Sequence, residues 1–270
     1  MLELTQVTKT FHAGTPNEVR ALRGVSLSLA RGSFVCVIGT NGSGKSTLLN
    51  AVAGAVIPDS GRIVLDGIDI TRWPEHRRAK LIGRVFQDPF RGTAPSMTIA
   101  ENLALAARRG QPRGLGWALN LTNRAKLRDR VAAMGLHLED RLNNPIGTLS
   151  GGQRQSLTLL MAGLRKPALL LLDEHTAALD PKSADQVIRL TQDFINRDRL
   201  TTLMVTHSMQ QAAFLGDRVI MMDRGQVAFD ISGQAKSRLR SEDLLSRFEE
   251  LRRANQLDES AAEMLRMQYV

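Results

Sequence analysis

Three stretches of different character predict an α/β fold with a central parallel sheet, an antiparallel β subdomain near the N-terminus and an α-helical subdomain inserted in the middle. The first third of the 270-residue chain is built of short segments in which apolar residues alternate with period two, the pattern of half-buried strands. From Met97 to Leu164 the apolar spacing becomes helical. Beyond it, strand-length apolar runs alternate with helical segments, which is the βαβα order of a parallel sheet covered on both faces.

Taken in order, "LELTQVTKTF" (2–11) and "ALRGVSLSLA" (21–30) alternate as strands. "FVCVIG" (34–39) is continuously apolar, so a buried strand; it runs into a glycine-rich loop, after which "KSTLLNAVAGA" (45–55) has helical spacing. "GRIVLDGIDIT" (61–71) reads as a hairpin turning at Asp66-Gly67. A short apolar strand precedes Gln87 in "GRVFQDPF". Helices are predicted in "TIAENLALAARRG" (98–110), "AKLRDRVAAMGL" (125–136) and "GQRQSLTLLMAGL" (152–164). The link "GQPRGLGWALNL" (110–121), rich in Gly with a Pro, is predicted as a loop or broken helix. Then come the strand "ALLLLD", the helix "KSADQVIRLTQDFINRD", the strand "TTLMVTH", the helix "MQQAAFLG" and a closing hairpin "RVIMMDRGQVAFD" turning at Arg224-Gly225. From Ser241 the tail is amphipathic, with Leu244, Leu245, Phe248 and Leu251 on one stripe. The expected organisation is one domain over 1–235, carrying the helical subdomain at about 90–165, and a helical C-terminal extension over 236–270.

Apolar residues make up 43% and charged residues 23%, the balance of a globular chain with a real core. No apolar run approaches the roughly 18 residues that span a bilayer, and "MLELTQVTKTF" lacks the basic start and apolar stretch of a signal peptide, so a cytoplasmic location is expected. The single cysteine, Cys36, excludes an internal disulfide and a cysteine-based zinc cluster, and its place in "FVCVIG" predicts a buried, inert thiol. Net charge is +9 and unevenly spread. Between Arg108 and Arg130 stand Arg108, Arg109, Arg113, Arg124, Lys126, Arg128 and Arg130 against one acid, Asp129. That stretch suits an anionic partner or a plain solvated face. Only Trp117 interrupts it, so the aromatic interleaving that stacks bases is missing.

Five elements carry chemistry. "GTNGSGKST" (39–47) fits G-x-x-x-x-G-K-[ST] between a predicted strand and a predicted helix, which is the context a phosphate-binding loop requires. Its glycines let backbone N–H groups wrap a phosphate chain; Lys45 brings positive charge to the β/γ-phosphates, and Ser46 offers a hydroxyl to Mg²⁺. "LLLLDE" ends a buried strand in two carboxylates, where ligands of open α/β sheets lie: Asp173 suits the Mg²⁺ shell and Glu174 suits accepting a proton from attacking water. His207 ends the next strand and Gln87 follows another, both on the same expected sheet edge. "LSGGQ" (149–153) opens a helix, and its exposed N–H groups form a second anion site.

These motifs stand in one order: the loop 39–47, Gln87, "LSGGQ", "LLLLDE" and His207. In this order the chain resembles the ATP-binding-cassette (ABC) ATPases, from about Leu2 to Asp230, and the resemblance implies a P-loop NTPase core with ATP and Mg²⁺ as cofactors. By position it implies nucleotide contacts at Phe11 (the adenine-stacking aromatic, more often tyrosine) and at Gly39, Asn41, Gly42, Ser43, Gly44, Lys45, Ser46 and Thr47. It implies catalysis by Glu174, His207 and Gln87, and metal contacts from Ser46, Gln87 and Asp173. It also explains the second anion site. In this family two cassettes pair head to tail, so that Ser150, Gly151, Gly152, Gln153 and Asp180 would serve the nucleotide of a second copy. His175 departs from the family's usual proline; it either adds a titratable group near the γ-phosphate or marks a subgroup. "FQDPFRGTAPSMTIAENLALA", "GGQRQSLTLLMAGL" and "DEHTAALDP" resemble a bacterial subgroup of import ATPases. That implies a homodimer, an integral membrane permease, indirectly an extracytoplasmic solute-binding lipoprotein, a place on the cytoplasmic face of the plasma membrane, and a small solute such as an amino acid. The basic stretch 108–130 would then lie near anionic lipid headgroups. The alternative is a non-transport ABC ATPase, a mechanical coupler or a nucleic-acid- or ribosome-associated protein. The short segment between Gln87 and Leu149 and the single cassette argue against a nucleic-acid partner.

Overall fold

The computed structural model describes residues 1–111 and 120–253. The chain opens with β1 (Leu2–Phe11), β2 (Val19–Leu29), β3 (Phe34–Gly39), α1 (Lys45–Ala53), β4 (Ser60–Leu65) and β5 (Ile68–Asp69). Four of these strands form an antiparallel sheet in the order β2-β1-β4-β5. The β4–β5 hairpin turns at Asp66 (φ 49°) and Gly67 (φ 81°), the two positive φ values that match the right-handed strand twist.

The middle of the chain holds α2 (Glu75–Arg78), β6 (Ile82–Val85), α3 (Ile99–Ala107), α4 (Leu121–Ala132) and α5 (Gly151–Gly163). Ile99, Leu103, Leu127, Val131, Leu157 and Leu160 give these three longer helices a core of their own. Beyond shifts of a few residues at element ends, one helix start and one extra helix differ from expectation. The helix placed at 125–136 spans Leu121–Ala132, because the Asn120 side chain accepts from Asn123 N–H and starts it one turn earlier. The one-turn α2 was not expected; it carries Arg78, whose guanidinium is fully buried and donates to the carbonyls of Ala51, Val52, Thr71 and Trp73. Most of the link 110–121 lies outside the described residues.

The chain continues with β7 (Leu169–Asp173), α6 (Pro181–Asp198), β8 (Thr202–Val205), α7 (Met209–Phe214), β9 (Arg218–Asp223), β10 (Gln226–Ser232) and α8 (Gly233–Ser237), and residues 241–253 are helical. A six-stranded sheet runs β10-β9-β3-β8-β7-β6; β9, β3, β8, β7 and β6 are parallel and only β10 is antiparallel. Side-chain alternation divides its two faces. Val35, Val37, Leu171, Leu203 and Ile220 pack with α1 and the antiparallel sheet. Cys36, Ile38, Leu170, Met204 and Met221 pack on the other face with residues of α5, α6 and α7. Burial raises the Cys36 thiol pKa to about 12, so it is inert, as expected. In the tail Leu244 is fully buried and Phe248 and Leu251 pack beside it, but Leu245 is exposed and does not belong to the stripe. Residues 254–270 lie outside the described residues.

Candidate active site

β3 delivers Gly39 to the carboxyl end of the parallel sheet, and the chain then loops into α1. A Cβ on Gly39 (φ 150°) would stand 2.2 Å from the Met222 carbonyl oxygen, and one on Gly44 (φ 100°) 2.4 Å from that of Ala21. Only glycine lets the loop lie this close to β9 and β2. Gly225 N–H donates to the Ser43 carbonyl at 3.0 Å, fastening the loop to the β9–β10 turn. Lys45 opens α1; its buried Nζ donates to the carbonyls of Gly39 (2.9 Å) and Thr40 (2.8 Å). Burial pulls the Lys45 pKa below its ordinary value, and the charge of Glu174 opposes that shift. The Ser43 hydroxyl is buried without a hydrogen-bond partner in the protein, while Asn41, Gly42 and Ser46 are exposed and Thr47 is half-buried. An unpartnered donor, an open glycine loop and a held cation fit a chain of phosphates.

The carboxylates arrive by strand register. Asp173 pairs with Val205 across β7 and β8, and Glu174 N–H donates to the Val205 carbonyl at 2.9 Å. His207, two residues beyond Val205, therefore emerges beside Glu174, with Nε2 2.6 Å from Oε1. Glu174 has φ 45°, a conformation that costs a non-glycine residue about 1 kcal/mol or more and that surrounding contacts must hold. Asp173 Oδ2 accepts from Arg84 Nη2 at 3.0 Å, and the same nitrogen donates to Asn50 Oδ1 at 2.8 Å. Arg84 also lies over the Phe86 ring, 4.6 Å from its centroid. Arg84 was not singled out in the sequence; the available signal was a cation inside the apolar strand β6, beside a strand that ends in Asp. Among the described residues no three or more His, Cys, Asp or Glu side chains converge as a metal cluster. The Ser46 hydroxyl and the Asp173 carboxylate are instead the sparse oxygen donors that suit Mg²⁺ shared with phosphate oxygens.

A second group forms where α5 meets α6. Ser150 caps α5 in a capping box: its hydroxyl accepts from Gln153 N–H and the Gln153 side chain accepts from Ser150 N–H, both at 3.3 Å. Asp180 caps α6, accepting from Ser183 N–H at 3.0 Å. A Cβ on Gly152 would lie 2.7 Å from Ser183 Cβ, and one on Gly151 3.3 Å from Leu179 Cδ2. Ser150, Gly151, Gly152, Gln153 and Asp180 thus share one surface. The phosphate-type loop packs on other elements, β2 and the β9–β10 turn.

The remaining sites stand singly. Gln87 is exposed just past β6, where the preceding Phe86 carbonyl accepts from Gln155 Nε2 of α5 at 2.9 Å. Phe11 is half-buried at the end of β1 with Lys9 Nζ 5.7 Å from its ring centroid. Its partner Val19 is two residues from Ala21, whose carbonyl faces Gly44. His175 is buried and its Nε2 pairs with Thr191 Oγ1 of α6 at 3.1 Å, so its ring packs against α6.

Comparison with known proteins agrees with this geometry. The ABC transporter family matches residues 22–177. A tyrosine transport ATP-binding protein of Clostridioides difficile is 44% identical over 92% of the chain and 99% of its own length. The thiamine import ATP-binding protein ThiQ of Escherichia coli is 33% identical over 88% of the chain and 97% of its own length. Among solved structures, a dimeric post-hydrolysis state of the ATP-binding cassette MJ0796 bound to ADP and Pi superposes with a TM-score of 0.73 at 31% identity, covering 86% of this chain and 98% of that one.

Proposed function

Since the chain belongs to the ABC transporter family, as an ATPase and the ATP-binding subunit of a transporter, we propose that it drives import of a small solute, an amino acid of the tyrosine type, through a separate membrane permease. The observation that carries this reading is the division of the site residues between two surfaces. Lys45, Glu174 and His207 stand at the sheet edge, and Ser150 to Gln153 with Asp180 stand at the α5–α6 junction. Each ATP would lie between the first surface of one copy and the second surface of another, in a head-to-tail homodimer.

In the hydrolytic step, Glu174 takes the proton of the water that attacks the γ-phosphorus, and His207 fixes its carboxylate through the Nε2–Oε1 contact. Lys45 binds the β/γ-phosphates and Phe11 flanks the base. Ser46, Asp173 and Gln87 would hold Mg²⁺, which supplies charge neutralisation on the phosphates when bound. Loss of the γ-phosphate removes a ligand shared by two chains, and the pair separates. Support for import of a tyrosine-like solute comes from the 44% identical relative's name. The membrane-embedded permease would dock its cytoplasmic face near Gln87 and the exposed Phe90, with the solute-binding lipoprotein on the far side of the membrane. Among the described residues no helix is long and apolar enough to cross a membrane, and in this reading the membrane path is the permease's. The test is reconstitution with the permease in vesicles: ATP-dependent accumulation of tyrosine, lost in Glu174→Gln, supports the proposal. ATP turnover with no accumulation of any amino acid refutes the import reading.

A further inference from the structure

The hydrogen-bond network behind the Glu174–His207 pair converges on one side chain outside the motifs. Gln211, half-buried on α7, donates from Nε2 to Thr176 Oγ1 at 3.1 Å, and its Oε1 accepts from Thr206 Oγ1 at 2.8 Å. Thr176 is two residues past Glu174 and Thr206 is immediately before His207, and both threonines are buried. Thr206 is itself fixed: its N–H donates to the Val37 carbonyl at 3.1 Å, and its hydroxyl accepts from Ser208 N–H at 3.1 Å. The Gln211 backbone N–H donates to Ser208 Oγ at 3.2 Å, so the residue after His207 is tied to the same point. A primary amide has one acceptor oxygen and a two-donor nitrogen, and here it uses one of each on two different loops.

We propose that Gln211 is a positioning residue for ATP hydrolysis, clamping the loop that carries Glu174 to the loop that carries His207 so that Nε2 and Oε1 stay in contact. The inference rests on the roles given above to Glu174 and His207. It also bears on Glu174's own backbone. At φ 45° the residue needs its flanks held. Glu174 N–H bonds to β8, Ala177 N–H closes a turn on the Glu174 carbonyl at 2.9 Å, and Gln211 holds the intervening Thr176 from the side. Without the clamp, both loops keep their strands, and the nucleotide loop is untouched because it leans on β9 and β2. Binding should therefore survive while turnover falls.

The experiment measures ATP turnover and nucleotide affinity of the full chain as wild type, Gln211→Leu, Thr176→Val, the double variant and Glu174→Gln. Gln211→Leu is expected to lower kcat about tenfold with KM and Kd for ATP within twofold of wild type. Thr176→Val, which removes one acceptor and keeps the shape, should lower kcat about threefold. The double variant should be no slower than Gln211→Leu, since both changes remove the same link. A kcat of Gln211→Leu within twofold of wild type, or a parallel loss of affinity and turnover, overturns the inference while an inactive Glu174→Gln leaves the site reading intact. Wild-type turnover in Glu174→Gln instead overturns the site reading itself. Should Gln211→Leu fail to fold, Thr176→Val decides alone by the same criteria.

Discussion

Glu174 combines a strained backbone with a side chain in contact with His207, and the proposed mechanism gives it a role in turnover and none in holding nucleotide. Glu174→Gln keeps the shape and removes the proposed base: turnover should drop at least 100-fold while ATP affinity stays within about threefold, read by phosphate release against equilibrium binding. His175, one residue on, does something else. Burial pulls its pKa from 6.5 to about 4, so the folded chain keeps it neutral while the unfolded chain protonates it below 6.5. Its contribution is therefore complete above pH 6.5 and is lost as pH falls toward 4. Between pH 7 and 5 the wild type should lose about 2 kcal/mol more than His175→Gln, measured by urea denaturation at both pH values. The glycines, Lys45 and the Asp173-Glu174 pair were legible in the sequence because their spacing is local chemistry. Arg84 and Gln211 were not, because what they do depends on partners 89 and 35 residues away that only the sheet brings near.

Between elements, the α5–α6 contact sets how close the helical segment can come to the sheet. Gly163 ends α5, and a Cβ there would lie 1.9 Å from Cζ of Phe194 on α6. In a helix, Gly to Ala ordinarily gains up to about 1 kcal/mol. Here the sign should reverse: Gly163→Ala should destabilise by about 1–3 kcal/mol through overpacking, and adding Phe194→Leu should recover part of it, both read by denaturant melts. Most helices and outer strands could be read from periodicity, since one face meets a core, and the central strands from continuous apolar runs, since both their faces are covered. α2 could not, because four residues carry no period, and what holds them is the buried Arg78 on carbonyls from elsewhere. The start of α4 was misplaced because its first turn exposes Leu121 to solvent, so the apolar pattern begins later than the Asn120 cap.

Taken as one molecule, the chain places the loop 39–47 against β2 and the β9–β10 turn and the α5 cap against α6, and the proposed function assigns nucleotide to both. Ser150 is exposed and, among the described residues, its hydroxyl bonds only to Gln153 N–H of its own capping box, so Ser150→Arg should leave ATP binding to a single copy within about threefold and prevent pairing. Competitive nucleotide binding alongside size-exclusion chromatography checks both halves of that statement. The most direct measurement is the sedimentation of Glu174→Gln with saturating Mg-ATP. A doubling of mass that ADP reverses is the expected result. A Glu174→Gln chain that remains monomeric with bound ATP, alone and with its permease present, contradicts nucleotide-bridged pairing.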